Sequence, residues 1–368
     1  MDYFFNLLKN VDKACCAIVA ALAVISILMI GSTQIESSGF WTRDTVVQTG
    51  SYIIGALAAL LIIYIDYSRF QSISRGLYIL SLVLLLSVYV PGLGVEQFGS
   101  RAWINLGFTT VQPSEIVKVL FVLVMADYLS RHRDDLYTFG QLMKCFFLAA
   151  PIILIILKED FGSALVFAVM WAAMIFYAGI NIKTFAKFMA IVAACIPLAY
   201  LVMADYQKER ISAFLHPGNL SLSGNYQVWE SKIARGSGGW RGQGLFHGTQ
   251  KELDFIPVMK SDFIFSVIAE ELGLIGSIAI IVLFTLLMIR FMRIVLNAYD
   301  LYGALIVVGF IGMFVFQIFE NIAMTMGLMP VTGITLPFLS YGGTSILGNM
   351  MALGLILDVG VKSNVINF

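Results

Sequence analysis

The sequence predicts an all-α, polytopic membrane protein of about ten transmembrane helices, with one long extracytoplasmic loop between spans seven and eight. Composition is the first observation behind this: 59% of the 368 residues are hydrophobic and 12% charged, with a mean hydropathy of +0.88, whereas a soluble domain carries roughly 25% charged residues. The second is that apolar runs near the roughly 20 residues a membrane helix needs recur along the chain. The third is that a single long polar segment, 205–262, interrupts them. Residues 1–368 are therefore expected to form one integral membrane domain containing that loop.

The apolar runs fall at about 14–35, 45–65, 76–95, 114–130, 143–158, 161–182, 185–204, 263–289, 303–327 and 338–358. The first is followed by many more and lacks an A-x-A-like site, so a first span is expected rather than a cleaved signal peptide. The fourth is the least hydropathic because it holds Glu115 and Lys118, and the fifth is short. An even number of spans puts both termini on one side. With the N-terminus inside, twelve Lys and Arg lie in inner segments, against three (Arg43, Arg101, Lys158) in short outer loops. Positive charge concentrates inside, which predicts cytoplasmic termini and an extracytoplasmic 205–262 loop. No internal repeat of the transporter type is visible.

Zero net charge and the lack of a basic run argue against a nucleic-acid partner. The four cysteines form no CxxC pair and read as small apolar packing residues. His132, His216 and His247 are too scattered to suggest a metal site.

Charge near lipid is costly and usually faces protein or a wet cavity. Three sets of unusual residues map to the outer half. Arg101 and Trp103 sit in "FGSRAWINLG"; Trp103 also fits an interfacial aromatic anchor. Glu115 and Lys118, in "QPSEIVK", are three apart and share a helical face, so they can pair, whether structurally or for chemistry. Asp160, in "KEDFGSA", opens span six, where it fits a helix cap. The polar loop carries Gly236, Gly238, Gly239, Gly242, Gly244 and Gly248, which allow either tight turns and close backbone approach to a ligand or a flexible surface loop. It lacks the GKS or GKT ending of a phosphate loop. Pro330, Gly333, Pro337, Gly342 and Gly343 are expected to break the chain out of helix between spans nine and ten. Such backbone is tolerated only beside protein or water.

In this order the segments resemble the SEDS family of polytopic peptidoglycan polymerases, whose members include RodA and FtsW. The likeness runs from Arg43 to the end of span ten. It rests on Arg43, "QPSEIVK", "EDFGSALV", Arg210 with "FLHP", "SKIARGSGG", "HGTQKELDFIP", "SDFIFSVIAEELG" and "MPVTGITLPFLSYGG". "GSGGWRGQGLFHGTQ" and "PVTGI" are more similar to the RodA branch. The resemblance implies a ten-helix membrane glycosyltransferase that polymerises lipid II outside the cytoplasmic membrane, in cell elongation and rod shape. The family's essential carboxylate, in its "TDFIF" motif, falls on Asp262, and its functional tryptophan on Trp103. Arg43, Glu115, Lys118 and Asp160 match positions lining the family's central cavity. The chain also departs from the pattern. The usual "PExHTDF" reads "PVMKSDF", "QPDLG" reads "KEDFG", and Ala102 stands where an Arg often precedes the tryptophan.

On this resemblance Asp262 is the expected general base for a sugar hydroxyl, a role typically worth about 10²–10⁴-fold. Burial raises its pKa and nearby Lys260 is expected to lower it. Arg43, Arg101, Lys118 and Arg210 are candidates to neutralise the pyrophosphate leaving group. The sequence shows no dedicated metal cage. A divalent cation, Mg or Mn, is the one candidate, held by the pyrophosphate and Asp262. The implied partners are a class B penicillin-binding protein, which is a single-span transpeptidase, and other elongation-complex membrane proteins. The alternative reading is a lipid II flippase. The clustering of charge in the outer half, rather than along a full crossing, favours an enzyme.

Overall fold

The computed structural model describes residues 9–35, 39–97, 100–105, 107, 110–133, 138–203, 205–253, 255 and 258–366. Its helices are α1 (Lys13–Ser32), α2 (Arg43–Ile65), α3 (Tyr67–Ser72) and α4 (Ser74–Leu86), then α5 (Pro113–Arg131), α6 (Phe139–Glu159), α7 (Phe161–Ala178) and α8 (Ile182–Val202). After these come α9 (Asp205–Leu215), α10 (Ser223–Gly238), α11 (Thr249–Glu252), α12 (Ile264–Leu296), α13 (Leu301–Thr325) and α14 (Gly343–Ile366). Among the described residues seven helices are long and apolar enough to cross a membrane: α1, α2, α6, α7, α12, α13 and α14. The other three expected positions hold the shorter α4, the charge-bearing α5, and α8.

Local chemistry sets the helix ends. Asp12 caps α1, its carboxylate accepting from the Ala14 and Cys15 amides at 2.9 and 3.0 Å. Asp300 caps α13 through Gly303 N–H at 2.7 Å. Pro113 occupies the first turn of α5, where its missing N–H has no intrahelical partner to lose. The low apolarity of α5 is explained by its place. It packs against α4, α7, α13 and α14, and nearly all its residues from Pro113 to Leu129 are buried, so protein rather than lipid surrounds its charges.

Two features depart from an all-helical chain. Ahead of α5 lies a three-stranded antiparallel sheet, β1 (Gly94–Gln97), β2 (Ser100–Asn105) and β3 (Thr110–Val111), in the order β1-β2-β3. Its strands are too short to leave a period-2 signal between apolar runs. The second is the 205–262 segment, which holds α9, α10 and α11 instead of a plain loop. Ser231 on α10 is fully buried and meets Ser266 Oγ of α12 at 2.6 Å, seating α10 on the bundle.

Of the loop glycines, Gly238 and Gly242 lie close against protein backbone, and Gly239 and Gly244 hydrogen-bond to it. Helix α12 breaks at Gly273 (φ 68°, ψ −163°), which frees backbone groups on both sides. The segment after α10 takes them up: Gln243 and Gly244 N–H donate to the carbonyls of Glu270 and Glu271 at 2.9 and 3.0 Å, and Leu274 N–H donates to Gly239 O at 2.9 Å. Only glycine permits this contact. A Cβ at Gly242 (φ +79°) would lie 2.0 Å from Glu271 O. We expect Gly242→Ala to cost about 2–3 kcal/mol through overpacking and left-handed strain. A lower midpoint in thermal unfolding of the detergent-solubilised protein is the readout, and an unchanged midpoint would refute the docking.

Candidate active site

Residues 327–342 link α13 to α14 without helix, as the Pro and Gly content predicts, and inward-facing side chains bind their backbone. Ser26 Oγ donates to Leu339 O at 2.8 Å, Gln48 Nε2 to Ser340 O at 3.1 Å, and Asn321 Nδ2 to Ile334 O at 2.8 Å. The same stretch fixes the turn that carries Asp262. Asn321 Nδ2 donates to Asp262 O at 2.9 Å, Tyr341 N–H to Lys260 O at 2.8 Å, and Ser340 Oγ to Ser261 O. Beneath the turn, Met259, Phe263, Val267 and Ala234 form a small separate core with Val331 against it.

These elements wall a cavity of about 680 Å³. Asp262, Trp103, Glu115, Asp160 and Arg210 all line it. They come from the turn before α12, from β2, from the starts of α5 and α7, and from α9, so five sequence-distant candidates converge. Asp160 also caps α7, accepting from Ser163 N–H at 3.0 Å and Ser163 Oγ at 2.6 Å. Glu115 pairs with Lys118 at 2.8 Å, as the i,i+3 spacing predicts. Glu115 faces the cavity, whereas Lys118 is buried and absent from the wall.

The other two candidates stand elsewhere. Arg43 is the exposed first residue of α2 and does not line the cavity. Arg101 borders a second, much smaller hollow beside Tyr89 and Pro113. Its backbone N–H donates to Glu159 Oε2 at 3.0 Å. Glu159 Oε1 accepts from Tyr89 OH at 2.9 Å, and Glu159 O from Ser100 Oγ at 2.7 Å. The acid in "KEDFG" thus ties β2 to the end of α6.

Asp262 does not cap α12. The cap position is Phe263, with no side-chain cap bond. Nor is Lys260 its counter-charge, as proximity in sequence suggested: Lys260 turns to Asp44 and lies 5.5 Å from the Tyr341 ring centroid. Burial pushes the Asp262 carboxyl up to about 6, with Asp160 adding to the rise, while the Ser261 hydrogen bond and Arg210 pull the other way. The charge acting against burial is Arg210, whose Nη1 donates to Thr332 O at 2.7 Å.

Sequence reasoning passed over Lys232, Gln317 and Thr332, which also line the cavity, and Glu320, which is fully buried on α13. A carboxylate inside an apolar run is the signal that finds Glu320. Among the described residues no three His, Cys, Asp or Glu side chains converge to hold a metal ion. A cation at this cavity would therefore need ligand oxygens from a bound substrate beside Asp262.

The model of the FtsW, RodA and SpoVE family, described as cell cycle proteins, matches residues 12–365. The chain belongs to this family. Stage V sporulation protein E of Bacillus subtilis (strain 168) is 34% identical over 357 residues, covering 95% of this chain and 96% of that protein. Peptidoglycan glycosyltransferase MrdB of Escherichia coli (strain K12) is 32% identical over 353 residues, covering 95% and 93%. Among solved structures, the family fold recurs in the rod shape determining protein RodA of Thermus thermophilus, with a TM-score of 0.69, 28% identity, and coverage of 95% of this chain and 96% of that one. A chain from a structure described as coordinating polymerization and crosslinking by a peptidoglycan synthase complex reaches a TM-score of 0.81 at 28% identity, covering 96% and 98%.

Proposed function

We propose that the chain is a peptidoglycan glycosyltransferase that joins lipid II units into glycan strands at the outer face of the cytoplasmic membrane, for cell elongation and rod shape. The observation that carries this reading is Asp262 set in the wall of one cavity with Trp103, Glu115, Asp160 and Arg210, in a chain that belongs to the family over nearly its full length.

The chemistry is one displacement. The C4 hydroxyl oxygen of one lipid-linked disaccharide bonds to the anomeric carbon of another. The bond from that carbon to the pyrophosphate oxygen breaks, and undecaprenyl pyrophosphate leaves with the electron pair. Asp262 takes the hydroxyl proton as the bond forms. Arg210 and Lys232, both on the cavity wall, are placed to meet the negative charge growing on the pyrophosphate. Arg43, Arg101 and Lys118, off that wall, are not assigned this role. Lys260 also reaches the wall, but Asp44 already pairs with it. If a divalent cation takes part, the pyrophosphate oxygens and Asp262 would hold it.

The orientation follows from the charge bias of the short loops, with both termini cytoplasmic and the cavity extracytoplasmic. The partner is a class B penicillin-binding protein that cross-links the new strands.

The test is incubation of purified protein with lipid II in detergent. Long glycan strands are expected, and their absence would favour the flippase reading, since a flippase makes no polymer there. The pH dependence follows from the raised Asp262 carboxyl. A general base must be ionised, so activity is full above the shifted pKa and lost as pH falls through it. The turnover rate is expected to drop on the acid side of about pH 6, approaching tenfold per unit. A rate unchanged from pH 7.5 to 5 would remove Asp262 as the titrating base.

A further inference from the structure

Glu320 lies on α13 with no exposure to solvent, yet no step of the reaction uses it. Its Oε1 accepts a hydrogen bond from Thr332 Oγ1, and its Oε2 has no hydrogen-bond partner among the described residues. Burying a carboxyl with one oxygen unmatched opposes stability, and an apolar residue of similar volume is generally the more stable choice there. The arrangement has a consequence on the other side of Thr332. The Thr332 carbonyl accepts from Arg210 Nη1 at 2.7 Å. A Cβ on the next residue, Gly333, would lie 3.6 Å from Asp262 Oδ2 and 4.0 Å from Arg210 Nη1. Thr332 and Gly333 therefore form the piece of backbone on which the acid and the cation meet. The neighbour of Glu320, Asn321, holds the two flanks, donating to Asp262 O and Ile334 O at 2.9 and 2.8 Å. From the opposite side, α7 presses on Thr332 so closely that a Cβ at Gly162 would lie 3.0 Å from the Thr332 carbonyl.

We propose that Glu320 is a positioning residue for the polymerase reaction: from behind the cavity wall it anchors the Thr332 side chain and so sets Arg210 beside Asp262. The assignment rests on the polymerase reading. It requires a hydrogen-bond acceptor at position 320 and no charge. Lining up the leaving-group cation with the base acts on the transition state more than on the resting complex, so its loss lowers kcat rather than raising KM.

The experiment uses full-length purified protein, lipid II polymerisation kinetics and thermal unfolding. Glu320→Val is expected to lose about tenfold in kcat with KM nearly unchanged and no lower melting temperature. Glu320→Gln, which keeps an acceptor oxygen, is expected to stay within about threefold of the unsubstituted enzyme. Thr332→Val, which removes the donor, should reproduce the Glu320→Val loss. The double variant should be no worse than either single one, because both changes cut the same link. If Glu320→Val fails to fold, Thr332→Val decides alone. Unchanged kcat in the valine variants that fold, or a Glu320→Gln loss as large as that of Glu320→Val, overturns the assignment. An unsubstituted protein that makes no polymer overturns instead the reading on which it rests.

Discussion

Asp262→Asn is expected to stop glycan strand formation while leaving the protein folded. The substitution exchanges one carboxylate oxygen for an amide nitrogen and changes little else. The turn is held through the backbone, by Asn321 on Asp262 O and by Ser340 on Ser261 O, and neither bond involves the carboxylate. Phe263 occupies the cap position of α12 without a side-chain cap bond, so no helix start is lost. What disappears is the only proton acceptor this scheme places at the hydroxyl, at an expected loss of about 10²–10⁴-fold. The measurement is strand length and rate from lipid II, beside a thermal unfolding curve. Long strands at the normal rate from the Asn variant would end the general-base assignment. A loss of activity with an equally lowered melting temperature would also count against it, because the geometry gives the carboxylate no structural bond to the helix.

The parts of this site legible in the sequence are those whose geometry is local. Glu115 and Lys118 meet because three residues is nearly one helical turn. Asp160 caps α7 because an acid just before an apolar run satisfies the free amides there. The order of apolar runs likewise marks where the long helices lie. Side-chain direction was not legible. Lys260 is two residues from Asp262, yet it turns to Asp44 on α2, a partner more than two hundred positions away. Arg101 is two residues from Trp103 and would share its face in a regular strand, but the pairing slips between them (Gln97 opposite Ser100, Val95 opposite Trp103), and the two border different hollows. The loop glycines suggested close backbone approach to a ligand, whereas the surface that Gly238 and Gly242 approach is protein. That surface is the broken backbone of α12, and the break falls at Gly273 rather than at the neighbouring Gly276, a choice that no periodicity announces.

The docking of that loop leads to the second large effect, which lies away from the cavity wall. Lys251→Met is expected to destabilise the fold by about 3–5 kcal/mol, because it leaves an uncompensated charge inside the protein. Lys251 and Glu271 are almost wholly buried and pair at 2.9 Å. Lys251 Nζ also donates to Ser32 Oγ at 3.0 Å, and Phe246 N–H donates to Glu271 Oε2 at 3.0 Å. One ion pair therefore joins α11, the loop, α1 and the first half of α12. That half of α12 begins two residues after Asp262, so the pair steadies the helix that follows the turn carrying the base. Methionine fills much the same volume as lysine but cannot neutralise Glu271. Double substitution to Lys251→Met with Glu271→Leu removes both charges together, and it is expected to recover a substantial part of the loss. Thermal unfolding in detergent measures both. If Lys251→Met melts with the unsubstituted protein, the pair is not holding the loop. If the double variant is less stable than Lys251→Met alone, the cost comes from lost packing rather than from the stranded carboxylate.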